Sequence, residues 1–296
     1  MNEPPPQTEL PDPRTRGLDS LENVALVELL TRSQISAAQA VQLCSQQIAQ
    51  IVEVAAGRLR DGGQMHYVGA GTSGRLAFVD ASECPPTFGT PPELVCAHIA
   101  GGATALVRAV EGAEDDWQAG ARDMHGHVGA QDIVIGISAS GAAPYVNGAL
   151  SAARDAGAWT VAVVNNERSK LADVAHQTIV LPTGREPLAG STRLLAGTAQ
   201  KITLNTISTA TMIRLGKVYD NLMVDVVATN EKLRLRSLRL VMQLTGLEEK
   251  QSARVLHEAG GRVKVAVVMA KRRIPALQAQ RLLTEHRGFL REVLGA

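Results

Sequence analysis

His66-Tyr67-Val68-Gly69-Ala70-Gly71-Thr72-Ser73-Gly74-Arg75-Leu76-Ala77-Phe78-Val79 passes from a short apolar strand, through a turn of glycines and hydroxyls, into a helix. Strand, glycine turn and helix in that order form the unit from which parallel sheets are built. Working outward, further short and nearly continuously apolar runs are expected as strands at 94–99, 132–137, 160–164 and 178–181. The segments between them read largely as helix, 141–157 included. Strands of this kind are buried on both faces, which implies helical cover above and below. The predicted fold class is therefore α/β, a three-layer αβα sandwich with a mainly parallel sheet.

Helical periodicity begins near Leu21 and resumes over 35–59, where Asp61-Gly62-Gly63 stops it. A long helix is expected over 191–215, opening with a Ser/Thr cap. After Thr229 the pattern is wholly helical, with three or four short helices beyond Leu247, broken at Gly260-Gly261, Pro275 and Gly288. The expected organisation is a flexible proline-rich arm (1–19), an α/β domain (20–245) and a small C-terminal helical module (246–296).

At 296 residues the chain can bury a full core, and with aromatics at only 3% that core must be alanine, valine and leucine. The net charge of +1 gives no electrostatic reason to expect nucleic acid or an anionic membrane. No apolar run reaches the ~18 residues of a membrane span, and the proline- and acid-rich start is not a signal peptide. Cys44, Cys84 and Cys96 are odd in number and lack CxxC spacing, so reduced thiols and a cytoplasmic location are expected. His125-Gly126-His127 has no neighbouring carboxylate or cysteine to complete a metal set and reads as a loop. No metal or other cofactor is expected.

The turn formally matches GxGxxG, a weak signal alone. A dinucleotide site would want an acid closing the second strand, yet that strand ends in Ala100-Gly101-Gly102, and Glu93 precedes it. No Gly-Lys-Ser/Thr follows, so a Walker motif fails too. The turn offers hydroxyls instead, and Ser138-Ala139-Ser140-Gly141 repeats that chemistry after the third strand. Capping is the plain reading of either turn alone; together they suggest a monophosphate ligand held by Gly71, Thr72, Ser73, Ser138 and Ser140. Ser191 and Thr192 are read as a cap that also faces the ligand.

Two carboxylates follow these turns: Glu83, in Asp80-Ala81-Ser82-Glu83-Cys84-Pro85-Pro86, and Glu114, in Glu111-Gly112-Ala113-Glu114-Asp115-Asp116. Paired acids beside a phosphate anchor suit proton transfer on a phosphorylated small molecule. Glu83 is expected just past a helix, where the adjoining prolines favour a neutral carboxyl, and Glu114 near a helix N-terminus, where the dipole favours the anion. Asp115 and Asp116 read as dipole compensation, and Glu111 as a solvated residue. Lys232, Arg234, Arg236 and Arg239 read as a solvated helix face or part of a dimer contact.

Gly69 to Leu76 and Asp80 to Phe88 together resemble the signature of the N-acetylmuramic acid 6-phosphate etherase family. The resemblance extends to Ile99-Ala100-Gly101-Gly102, Ala109-Val110-Glu111-Gly112-Ala113-Glu114-Asp115, Ala196-Gly197-Thr198-Ala199-Gln200-Lys201 and Asn221-Leu222-Met223-Val224-Asp225-Val226-Val227-Ala228-Thr229-Asn230-Glu231-Lys232-Leu233. It implies a sugar isomerase (SIS) domain that binds phosphosugars and a tail similar to a ubiquitin-associated module. It also implies a homodimer without a metal, Glu83 as general acid and Glu114 as the second catalytic residue, the base. The implied reaction cleaves the lactyl ether of N-acetylmuramate 6-phosphate. Where the family has Arg-Thr before Pro-Tyr, this chain has Ala142-Ala143-Pro144-Tyr145, and Leu195 stands where the family typically has lysine. A non-catalytic phosphosugar sensor on the same fold is the alternative, and an aldose–ketose isomerase a third reading.

Overall fold

The computed structural model describes residues 5–226 and 231–295, so Val227-Ala228-Thr229-Asn230 of the last quoted motif lie outside the described residues. The chain divides into two compact units. The first comprises 1–81 and 93–208, the second 82–92 and 209–296.

In the first unit, helices α1 (Asn23–Leu43) and α2 (Ser45–Arg60) precede strand β1 (Met65–Gly69). Helix α3 (Gly71–Phe88) begins at the glycine turn, and its end belongs to the second unit. Then come β2 (Val95–Ile99), the short α4 (Thr104–Val107) and α5 (Trp117–Met124). β3 (Ile133–Ser138), α6 (Pro144–Asp155), β4 (Trp159–Val164) and β5 (Gln177–Val180) complete the sheet, and α7 (Leu195–Arg214) follows. All five expected strands are present, in the order β2-β1-β3-β4-β5 and parallel throughout.

Alternation along the strands sends side chains to opposite faces. Val68, Val134, Ala162 and Val164 pack with Val146, Ala149, Leu150 and Ala153 of α6. Tyr67 faces the other way, and its hydroxyl donates to Asp80 on α3 (2.9 Å). Asp80 also accepts from Ser208 (3.0 Å) and Asn205 on α7. One buried carboxylate thus ties three elements together, each bond charge-assisted.

At the amino edge of the sheet Asp132 accepts the Gln64 and Gly129 N–H groups, both at 2.7 Å. His66 lies beside it, with Nε2 3.9 Å from Asp132 Oδ2, and its Nδ1 is 3.1 Å from Nε2 of His98 on β2. Burial lowers both histidine pKa values, that of His98 to about 4.

Three features differ from expectation. α3 does not stop before Glu83 but continues through Pro85 and Pro86 to Phe88. Proline's fixed φ suits a helix, and near a C-terminus its missing donor disturbs only the last turns; Gly89, at φ 62, then ends the helix. Second, α7 opens at Leu195 rather than Ser191. Third, the described part of the arm is tied down: Thr8 is buried and its carbonyl accepts from Gly190 (2.9 Å), while Arg185 donates to the Pro11 carbonyl (2.8 Å).

The second unit holds the end of α3 and a small antiparallel hairpin, β6 (Val218–Tyr219) and β7 (Leu222–Met223). Its turn, Asp220-Asn221 with Asp220 at φ 55, is a hairpin signal present in the sequence but not read there. Helices α8 (Glu231–Thr245), α9 (Glu249–Glu258), α10 (Val263–Arg272), α11 (Ala276–Glu285) and α12 (Leu290–Leu294) follow, with the expected breaks. α10 is the central helix: every residue from Val263 to Val268 is buried. Among the described residues no helix is long and apolar enough to cross a membrane.

Candidate active site

The strand order places a topological switch point between β1 and β3. In an open parallel sheet, ligands bind outside the carboxyl ends of the strands at such a point. The register pairs Gly69 with Ile137, so the turns that follow these two strands stand side by side. The two hydroxyl-rich turns singled out in the sequence are those two.

The first turn is tightly built. A Cβ on Gly69 would lie 2.6 Å from the Gly74 nitrogen, and one on Gly74 would lie 2.5 Å from Ile99 Cγ1. Gly71 has φ +53, where an L side chain is strained. These glycines let α3 start directly above the strand, with N–H groups at the sheet's edge. Thr72 is half-buried there. Ser73 is buried and turned inward, donating its hydroxyl to Gln200 (2.8 Å).

In the second turn, Ser138 Oγ accepts the Gly141 N–H (3.1 Å) and Ser140 Oγ accepts the Ala142 N–H (3.2 Å). The hydroxyls therefore shape the turn, and their Oγ atoms lie 3.4 Å apart, so one donates to the other and the pair keeps one proton to give. Ala142 is exposed and Ala143 buried at the start of α6.

Ser191 and Thr192 do not cap α7. Glu186 does: its two oxygens accept the N–H groups of Leu195 (2.8 Å) and Ala196 (2.9 Å). Glu186 is fully buried, and burial pushes its pKa up while the two backbone donors pull it back. Thr192 instead accepts the Gly197 N–H through its carbonyl (2.8 Å), and a Cβ on Gly197 would lie 3.3 Å from Thr72 Cγ2. The third hydroxyl pair thus lies beside the first turn.

Behind the turns runs a buried polar chain that sequence reasoning missed. Gln200 donates to Asn165 (2.9 Å), and Asn165 donates to Thr183 (3.1 Å). With Ser73 this chain joins the carboxyl ends of β1, β4 and β5 to α7. Its signal lay in position: Asn165 immediately follows β4, and Thr183 closely follows β5. Asn166 adds a bond to the Ser140 carbonyl (3.2 Å).

Glu114 sits in a 3-10 turn, Ala113–Asp115, in the segment leaving the carboxyl end of β2. It is exposed, and its side chain takes no hydrogen bond among the described residues. Asp116 caps α5 through the Ala119 N–H (2.8 Å), the helix-terminus role expected for it. Glu83 is exposed on α3, in the part assigned to the second unit.

Over residues 47–154 the chain matches the model of the glucokinase regulatory protein N-terminal SIS domain. It is 47% identical over 290 residues to the N-acetylmuramic acid 6-phosphate etherase of Nostoc sp., covering 98% of this chain and 94% of that one. The enzymes of that name from Deinococcus radiodurans (47%, covering 98% and 96%) and Serratia proteamaculans (46%, covering 97% and 97%) match as fully. The chain belongs to the N-acetylmuramic acid 6-phosphate etherase family. Among solved structures, the phosphoheptose isomerase of Francisella tularensis superposes with a TM-score of 0.50 at 19% identity, over 64% of this chain and 98% of that one. That likeness bears out the α/β fold of this etherase-family chain.

Proposed function

We propose that this chain cleaves the D-lactyl ether of N-acetylmuramate 6-phosphate, giving N-acetylglucosamine 6-phosphate and D-lactate. The observation that carries the reading is the nearly end-to-end similarity to etherases. The regulatory-domain match, by contrast, spans only 47–154, so the sensor reading has less support.

In this reading the 6-phosphate is held at the β1–β3 switch point by the N–H groups and hydroxyls of Gly71, Thr72, Ser138 and Ser140, with Ser191 and Thr192 beside them. Ser73 contributes chiefly through Gln200. An ether's leaving alkoxide is strongly basic, so direct displacement is slow, whereas elimination from the open-chain aldehyde is easier. Glu114 removes the C2 proton, which is acidified by the neighbouring carbonyl. The electron pair forms the C2–C3 double bond, and the C3–O bond breaks. Glu83 protonates the departing lactate oxygen; water then adds, its hydroxyl to C3 and its proton to Glu83, while Glu114 returns the proton to C2. The outcome is a carbon–oxygen lyase step followed by hydration, and it uses only these two carboxyl groups.

A homodimer in the cytoplasm belongs to the same proposal. In this reading a second copy supplies Glu83 to the first copy's phosphate turns.

The test is release of D-lactate from N-acetylmuramate 6-phosphate by the purified chain, alongside Glu83→Gln and Glu114→Gln. Saturable phosphosugar binding with no lactate would return the sensor reading, and undiminished release by both variants would remove the catalytic assignment. Mixing the two inactive variants should restore activity if Glu83 and Glu114 act across two chains. Mixed dimers that stay silent would place both acids within one chain.

A further inference from the structure

A second cleft, of about 730 Å³, lies within the second unit and takes no part in the reaction above. Lys217, Arg262 and Lys264 line it, and Asp225 is the one carboxylate among the described residues of its lining. Lys264 Nζ lies 2.7 Å from Asp225 Oδ2, and Lys217 Nζ lies 3.4 Å from the same oxygen. Two ammonium groups thus share one carboxylate, and Arg262, whose Nε donates to the Ala259 carbonyl (3.3 Å), adds a third positive charge to the lining.

The surplus sits in a costly place. The Lys264 side chain is only 8% exposed, because it rises from the buried face of α10. Lysine is almost never so buried unless paired, and here its pair is divided with Lys217. Burial lowers the Lys264 pKa while Asp225 holds it up. Val263 and Leu283 give the cleft an apolar wall. The Gly260-Gly261 turn and Gly288 carry no side chains to fill the opening, and a Cβ on Gly288 would come within 3.6 Å of Lys264 Nζ. The volume falls in the usual range for small-molecule sites, ~300–1,000 Å³.

We propose that this cleft binds a small organic anion, a phosphate ester or a carboxylate, whose charged end completes the pairing of Lys217 and Lys264 and is reached by Arg262. The apolar wall takes the uncharged remainder. The site is separate in sequence and chemistry from the hydroxyl-lined turns of the first unit: it offers ammonium and guanidinium groups where they offer hydroxyls and backbone N–H groups. An occupied cleft would stabilise the second unit by linkage.

The experiment follows the backbone amide resonances of Gly260, Gly261 and Gly288 in the full-length protein during separate titrations with inorganic phosphate and acetate. Sodium chloride at matched ionic strength is the control. Saturable shifts with phosphate alone identify a phosphate ester as the ligand, and shifts with acetate alone identify a carboxylate. In Lys217→Gln/Arg262→Gln the binding should weaken about tenfold or more, the effect of losing a hydrogen bond to a charged group. Arg262→Gln alone, at an exposed position, gives the same readout should the double variant fold poorly. Shifts no larger than those in chloride, or binding unchanged in these variants, would overturn the proposal.

Discussion

The two edges of the parallel sheet are built from the same kinds of polar group and treat them in opposite ways. At the amino edge Asp132 spends both carboxylate oxygens on backbone N–H groups, and the buried His66 ring stacks on the half-buried His98. At the carboxyl edge the Ser138 and Ser140 hydroxyls accept within their turn and bond to each other, which leaves one proton to give, and Glu114 stands exposed without a hydrogen bond among the described residues. One edge closes the fold, while the other leaves donors and an acid facing outward. Polar residues at strand ends are thus no guide to a site by themselves; what matters is whether their bonding capacity has been consumed.

The largest expected effect separates the edges by activity. Glu114→Gln should lower lactate release by about 10²–10⁴-fold, the usual contribution of a positioned acid or base, with an unchanged urea midpoint. A drop in stability comparable to the loss of rate would mean that Glu114 belongs to the scaffold. At the other edge, Asp132→Ala leaves two backbone donors without their acceptor and should cost about 2–4 kcal/mol of unfolding free energy. The surviving folded molecules should turn over at the parent rate; a large fall in kcat would erase the distinction drawn here.

The histidine pair sharpens the comparison through pH. His98 faces His66, Asp123 and His127, and its folded pKa of about 4 lies below the 6.5 of an ordinary histidine. Between those values the unfolded chain binds a proton that the native ring refuses. Stability is therefore full above pH 6.5, falls as pH drops through the window, and levels below about 4. The fall is about 2–3 kcal/mol at most, partial exposure reducing it. Denaturant midpoints of the parent and His98→Gln measured from pH 7 to 4.5 should diverge, the variant showing the flatter profile; parallel curves would dismiss the account.

The smallest effect belongs to a single turn hydroxyl. Ser140→Ala should raise the KM for the phosphosugar about tenfold, with little change in kcat. If thermal stability falls instead and KM stays put, the hydroxyl serves the turn alone.

Much of this was legible in the sequence. The five strands, the glycine turn and the breaks at Gly260-Gly261, Pro275 and Gly288 follow from local chemistry: apolar runs, positive φ and missing N–H groups. Neighbouring placement of the two hydroxyl turns was not legible, because strand order is a long-range property. Glu186 escaped for the same reason. It caps a helix that starts nine residues later, whereas the cap expected from pattern, Ser191 or Thr192, is adjacent in sequence. The Ser73–Gln200–Asn165–Thr183 chain crosses four elements and leaves no periodic trace. Pro85-Pro86 misled in the other direction, since proline tolerates a final helical turn that composition alone reads as loop.

The buried carboxylate of Glu186 has a further consequence. By sitting across the first amides of α7, it takes up the donors that a visiting anion would otherwise seek and cancels part of the positive pole behind them. That doorway is already tenanted, so in the proposed reading an incoming phosphate is left with the mouths of α3 and α6. Selectivity at this edge of the sheet is set as much by the berth that is filled as by those left open.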